Sequence, residues 1–180
     1  MASHSHVLLR SVLEFDEEDA QVLFDEAAHR LILIKHREFV ALPLRKFQAS
    51  GFGCSEQVIR CDNGGKVEAV RFSLNHRFAA VQRSSVELEF MDLLMGGGFT
   101  HKCHGSSKTR WRILGFQWTG TPVSDFFVVT SVGVEFYLVL PDRKMLKMVK
   151  ALSLAVSWCM YSHETRLLLL ATGVQVKSLF

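Results

Sequence analysis

The sequence predicts an all-β chain, organised as an incomplete WD-like β-propeller of about three and a half four-stranded blades. Three observations predict it. Most of the chain alternates apolar and small or polar residues with period two, the pattern of half-buried strands. Short clusters of turn residues punctuate these runs: SLNH at 73–76, SS at 84–85, TGTP at 119–122, SVG at 131–133, SHET at 162–165 and TG at 172–173. The strand pattern also repeats. Phe24, Phe72, Phe116 and Trp158 stand in the first strand of successive units, spaced 48, 44 and 42 residues apart. Across the next tight turn lie Ile34 and Phe39, Val81 and Val86, Val129 and Val134, and Leu169 and Val174, each pair five residues apart.

The elements follow in order. EFDEEDAQVLFDEAA at 14–28 has the best helix propensity, yet VLF, DEAAHR and LILIK also read as strand, turn, strand. In VELEFM, Val86, Leu88 and Phe90 alternate with Glu87 and Glu89. In ILGFQW, Leu114, Phe116 and Trp118 share a face, and in VEFYLVL so do Val134, Phe136, Leu138 and Leu140. RKMLKMVK at 143–150 is ambiguous, because Lys144, Lys147 and Lys150 recur at helical spacing between two clear strands. In LSLAVSWCM, Leu152, Leu154, Val156, Trp158 and Met160 face one way, and the small Ser153, Ala155, Ser157 and Cys159 face the other. Residues 1–19 are expected to be a partly disordered lead-in, and 20–180 the N-terminal blades, cut within the fourth. Closed propellers have at least about four blades, so such a chain leaves apolar faces and strand edges open.

Composition narrows the function classes. The 180 residues carry 21 Lys plus Arg against 18 Asp plus Glu, a net charge of +3 that supports no nucleic-acid partner. The most apolar stretch, 167–174, falls well short of the ~20 residues of a spanning helix. The N-terminus, a short apolar patch followed at once by acids, is a poor signal peptide. Cys54, Cys61, Cys103 and Cys159 form no CxxC pair and read as reduced thiols of a cytosolic protein.

The segment GGGFTHKCHG at 96–105, with Lys108 and Thr109 beyond it, is the one stretch that hints at site chemistry. A phosphate loop needs GxxxxGK[ST] opening a helix. Here Ser106 and Ser107 separate Gly105 from Lys108, and a strand follows. A zinc site needs about four ligands. His101, Cys103 and His104 supply three, and adjacent residues of a strand point to opposite faces. The better reading is a turn at Gly96, Gly97 and Gly98, followed by FTHKC as the outer strand of a blade. The acids Glu14, Asp16, Glu17, Glu18 and Asp19 are read as a solvated rim, and the basic Lys108, Arg110 and Arg112 as an exposed strand face. Trp118 and Trp158 are read as packing between blades. No nucleophile is positioned by a base, so no catalytic, cofactor-binding or metal residue is assigned, no cofactor is implied and no small-molecule substrate is expected.

Several strand strings in this order carry a resemblance: KVEAVRFSLNHRFAAVQRSS (66–85), ILGFQWT (113–119), GVEFYLVLP (133–141), LKMVK (146–150) and VSWCMY (156–161). Together they resemble the N-terminal propeller of the family of regulators of the Mon–Ccz complex, also called Bulli or colon-cancer-associated Mic. The resemblance covers roughly residues 20 to 175 and is strongest between Lys66 and Tyr161. It implies a non-enzymatic scaffold or regulatory subunit with the Mon and Ccz subunits as partners. That complex is the exchange factor for the late-endosomal Rab GTPase (Rab seven), acting in endosome maturation, lysosomal trafficking and autophagy. It also implies a cytoplasmic protein, peripheral on late-endosomal and lysosomal membranes through the complex alone. Two rival readings are a WD-type scaffold of another trafficking complex, and a propeller enzyme with polar or acidic residues at the inner strands.

Overall fold

In the computed structural model, residues 20–25, 30–35, 38–43, 57–60, 66–103, 111–121, 125–173 and 175–179 are described. Their regular structure is strand apart from one 3-10 turn at Pro141–Arg143. Four antiparallel sheets follow one another along the chain. Sheet 1 holds β1 (Ala20–Asp25), β2 (Arg30–Lys35), β3 (Glu38–Pro43) and β4 (Gln57–Arg60). Sheet 2 holds β5 (Ala69–Phe72), β6 (Phe78–Ser84), β7 (Glu87–Asp92) and β8 (Gly98–Lys102). Sheet 3 holds β9 (Ile113–Trp118), β10 (Phe126–Thr130), β11 (Gly133–Leu140) and β12 (Met145–Ser153). Sheet 4 holds β13 (Trp158–Ser162), β14 (Leu167–Thr172) and β15 (Gln175–Leu179). Each sheet is a meander in which sequence neighbours pair. The chain divides into two compact units, one containing sheet 1 and the other sheets 2 to 4.

In sheet 1, β2 is the central apolar strand: Ile32, Leu33 and Ile34 are buried whichever face they point to. Ile34 stands directly opposite Phe39 across the tight turn, as the repeat predicts. Val22 and Phe24 lie on the other face, opposite Leu33 and Leu31. The two strands read within 20–35 are present as β1 and β2, and helix propensity there yields to pairing; 26–29 lie outside the described residues.

Sheets 2, 3 and 4 stack through two apolar seams. The first joins Phe78, Ala80, Leu88, Phe90 and Cys103 of sheet 2 and its end to Phe116, Trp118, Phe126, Val128 and Tyr137 of sheet 3. The second joins Phe127, Val129, Val134 and Phe136 of sheet 3 to Leu168 and Leu170 of sheet 4, with Cys159 and Tyr161 packed alongside. Strand chemistry follows position. β10, with a neighbouring strand on each side and a seam on each face, is FFVVT and wholly buried. The outer strands β8 and β12 are mostly exposed, and Lys102, Lys147 and Lys150 occupy them. Lysine on an edge strand discourages pairing with another chain.

One ambiguity is resolved and two expectations are corrected. The 143–150 segment is mainly strand: after the 3-10 turn and Lys144 in the left-handed region, β12 pairs along β11, with a bulge at Val149. The alternation of LSLAVSWCM does not belong to one strand. β12 ends at Ser153 and β13 starts at Trp158, with 154–157 carrying the chain from one sheet to the next. The five-residue spacing also gives true opposition only where the pair is centred on the turn. Val129 faces Val134, but in sheet 2 the turn occupies Ser85 and Val86, so Val81 faces Glu89, and Leu169 faces Ser178. Val174 lies outside the described residues, as do the 1–19 lead-in, its histidines and acids, Cys54 and Cys61.

Gly96 and Gly97 both take positive φ in the turn between β7 and β8, and Gly98 opens β8. A Cβ on Gly98 would run into the Phe90 carbonyl oxygen. Gly98→Ala is therefore expected to lower the stability of the chain by about 1–3 kcal/mol, the usual cost of forcing a group into a packed position. An unchanged urea midpoint would show that the strands do not approach this closely.

Candidate interaction surface

The first seam sets the frame. Trp118 is buried, and its Nε1–H donates to the Arg71 carbonyl at 2.9 Å. Phe126 and Phe90 meet edge to face at 5.0 Å, and Phe126 meets Trp118 the same way at 5.0 Å. Phe99 stacks on Phe90 at 5.1 Å. Edge-to-face and offset pairs add about 0.5–1.5 kcal/mol beyond the area they bury.

A polar chain runs through the same seam. The Tyr137 hydroxyl donates to Glu135 Oε2 at 2.5 Å, and His101 Nε2 lies 3.1 Å from that hydroxyl. The hydroxyl proton is committed to the carboxylate, so His101 must carry its proton on Nε2 and donate. Burial first, and then the Glu135 hydrogen bond, push the Tyr137 hydroxyl far above its usual range. Burial, with the charge of Glu135, pushes the nearby Cys103 thiol up to about 12. His101 and Cys103 thus serve the seam, one as a donor and one as a small apolar filler. Among the described residues no cluster of three or more His, Cys, Asp or Glu side chains could hold a metal. His104, Lys108, Thr109 and Arg110 lie outside the described residues.

Where the first strands of sheets 2, 3 and 4 converge, a cavity of about 300 Å³ opens beside Arg71, Gln82, Gln117, Cys159 and Tyr161. Its lining holds no carboxylate and no imidazole. Burial pushes the Cys159 thiol up to about 11, so it stays protonated at neutral pH and is a poor nucleophile. Gly115 is packed so closely here that a Cβ on it would stand 2.8 Å from Cys159 Sγ. Such a cavity can bind or exclude, but it offers no acid–base pair.

The most exposed large apolar side chains among the described residues sit on the turn between β7 and β8. Asp92 organises it: its Oδ1 accepts from the Leu94 and Met95 backbone N–H groups at 3.0 Å each. Its Oδ2 takes Arg77 Nε and Nη2 at 3.1 and 2.8 Å. The Asp92 N–H donates to the Gly97 carbonyl and the Gly96 N–H returns to the Asp92 carbonyl. The Arg77 guanidinium, ahead of the Met95 amide, holds the Asp92 carboxyl down to about 2. The braced turn presents Leu94 and Met95 to solvent, each 75% exposed. Below them a cleft of about 270 Å³ runs between this turn and the 3-10 turn, where Pro141, Asp142 and Lys144 form the opposite wall. The sequence reading missed this pair, although two large apolar residues directly before a glycine run could have marked an exposed tip. It also misplaced Trp158, which is half exposed, while its neighbours Cys159 and Tyr161 line the second seam.

A family model described as "Regulator of MON1-CCZ1 complex, N-terminal" matches residues 22–146. The chain belongs to this family. It is 36% identical over 118 residues to the human regulator of MON1-CCZ1 complex and 32% identical to the mouse protein. Each alignment takes in 64% of this chain and 17% of the relative, so the chain spans a small part of these regulators. Among solved structures it is similar to a chain in a crystal structure of the mitotic checkpoint complex, with TM-score 0.60 and 11% identity over 92% of this chain and 50% of that one. It is also similar to the WD40 domain of SCAP from fission yeast, with TM-score 0.56 and 10% identity over 91% and 44%. A periplasmic gluconolactonase of Pseudomonas aeruginosa gives TM-score 0.52 and 14% identity over 87% and 48%. At these identities the likeness shows the fold alone, and that fold is WD40- or propeller-type.

Two outcomes follow for the regulator chain. The Asp92 carboxyl is depressed in the folded state, so its support of the turn is complete above the ordinary carboxylate range and is lost as pH falls from about 4 through about 2. Carbon-detected NMR should place its midpoint near 2 and move it upward in Arg77→Ala; an unmoved midpoint would remove the ion pair from the account. Tyr137→Phe leaves the buried Glu135 carboxylate without its donor and should cost about 1.5–3 kcal/mol in urea unfolding, whereas a neutral result would mean that the hydroxyl contributes nothing to the seam.

Proposed function

We propose that this chain is a non-catalytic binding portion of a regulator of the MON1–CCZ1 complex, with the MON1 and CCZ1 subunits as its protein partners. Through that complex it supports activation of the late-endosomal Rab GTPase (Rab seven), and with it endosome maturation, lysosomal trafficking and autophagy. It works in the cytoplasm and meets late-endosomal and lysosomal membranes only as part of the assembly. The observation that carries this reading is the family match across residues 22–146, the span of the first three sheets. The surface agrees in kind: an apolar pair is held out on a braced turn. Exposed apolar anchors that need no ordering on binding lose little entropy when they dock. Leu94 and Met95 are assigned that role.

The test uses the full chain immobilised and the purified MON1–CCZ1 pair in solution. The wild-type chain should retain both subunits. Leu94→Asp with Met95→Asp should weaken retention by roughly tenfold or more, the size of an interface hot spot, with the parent circular-dichroism spectrum preserved. No retention by the wild-type chain would overturn the partner assignment. Full retention by the double variant would overturn the role of the turn.

A further inference from the structure

β12 combines a sheet edge with unbalanced positive charge. It ends sheet 3, with β11 on one side and, among the described residues, no strand paired on the other. A strand so placed directs alternate N–H and C=O groups outward, as donors and acceptors for a further strand. At nine residues it is the longest strand described, and Met145, Met148 and Val149 are exposed along it. Arg143, Lys144, Lys147 and Lys150 fall within eight residues, and no acid occurs between Asp142 and Glu164.

The register shows how the charges are arranged. Lys147 stands opposite Leu138 and Lys150 opposite Phe136. Leu138 and Phe136 are two apart on β11 and share a face, which puts Lys147 and Lys150 on one face as well. In an unbroken strand, residues three apart would point to opposite faces. The bulge at Val149 takes up the extra residue and brings the two lysines together. Met145, opposite Leu140, and Leu152, opposite Val134, lie on that same face. The order along it is therefore Met145, Lys147, Lys150, Leu152: two cations at neighbouring positions, flanked by apolar side chains. Among the described residues no carboxylate pairs with either lysine.

These features fit one kind of occupant. Lysines on an edge repel a second basic edge, so another β12 is a poor partner. An acidic strand turns the same lysines into attraction, with cross-strand side chains about 5 Å apart. An anionic lipid surface would answer the charges and leave the row of backbone donors and acceptors unused, whereas an added strand answers both. The bulge shortens the regular edge on each side of it, which suits a single short segment rather than a growing sheet.

We infer that β12 accepts an extended acidic segment of a partner protein by strand addition, with Asp or Glu at alternate positions beside Lys147 and Lys150. The inference does not rest on the role given to Leu94 and Met95.

The experiment uses the full 180-residue chain and a dye-labelled peptide that alternates Glu and Val, read by fluorescence anisotropy. The chain should bind this peptide, and less tightly as salt is raised. Lys147→Glu with Lys150→Glu should weaken binding roughly tenfold or more, as expected when complementary charges are made alike. That double variant should instead bind the peptide carrying Lys in place of Glu, so rescue by reversed charge separates lost complementarity from a lost fold. A Glu–Val peptide N-methylated along its backbone keeps its charge without its donors, and should bind roughly tenfold or more weakly. Hydrogen exchange of the Met145–Ser153 amides should slow when the unmethylated peptide is added. No binding of the Glu–Val peptide, equal binding of its N-methylated form, or protection confined to other strands overturns the inference. Vesicles of phosphatidylcholine and phosphatidylserine test the rival occupant: vesicle binding lost in the double variant, with no binding of the peptide, would assign the edge to lipid instead.

Discussion

A small sheet that is apolar on both faces cannot bury itself. That constraint governs everything else in the chain. Sheet 3 shows its force: β10 has large side chains on both sides, and it is stable only because sheet 2 covers one face and sheet 4 the other. The aromatic cluster of Phe90, Trp118 and Phe126 is where that covering is densest, and the Trp118 hydrogen bond to the Arg71 carbonyl ties the two sheets at a defined offset. A buried indole N–H without a partner would cost more than the bond contributes net, so the bond selects an offset as well as adding strength.

The same constraint explains how polar groups enter the seam. Glu135 is buried near the start of the apolar run VEFYLVL, where an unpartnered carboxylate would be severely penalised. It is tolerated because the Tyr137 hydroxyl donates to it and His101, on the neighbouring sheet, donates to that hydroxyl. The chain of bonds crosses from β8 to β11 and gives the seam a directional link that apolar contact alone lacks. His101 and Cys103, which help GGGFTHKCHG look like a ligand set, are thereby accounted for by packing, and Gly96, Gly97 and Gly98 by the turn and the close approach of β8 to β7.

Much of the fold was legible because strand period and turn residues are local signals. Sheets 2 and 3 could be read almost strand by strand, and the Ile34–Phe39 and Val129–Val134 pairs gave correct opposition. The ambiguity at 143–150 and the misses have physical reasons. β12 is an edge strand whose residues need not alternate, so its lysines mimicked helical spacing. The turn of sheet 2 falls on Ser85 and Val86, later than a fixed five-residue rule places it, so Val86 pairs with nothing across the hairpin. Trp158 read as core because alternation was carried unbroken through 154–157, where the chain in fact leaves one sheet and enters the next. The candidate surface was the least legible part. The exposure of Leu94 and Met95 follows from the way Asp92 and Arg77 brace a turn, and that is a three-dimensional fact.

The contact between Gly115 and Cys159 reaches beyond packing. These positions are 44 residues apart in sequence and belong to different sheets, yet the space one occupies is the space the other lacks. A side chain at 115 would have to displace the Cys159 thiol, so a change at one position is felt at the other. Substitutions at the two sites are therefore coupled, and the fit of sheet 4 against sheet 3 depends on the pair rather than on either residue alone.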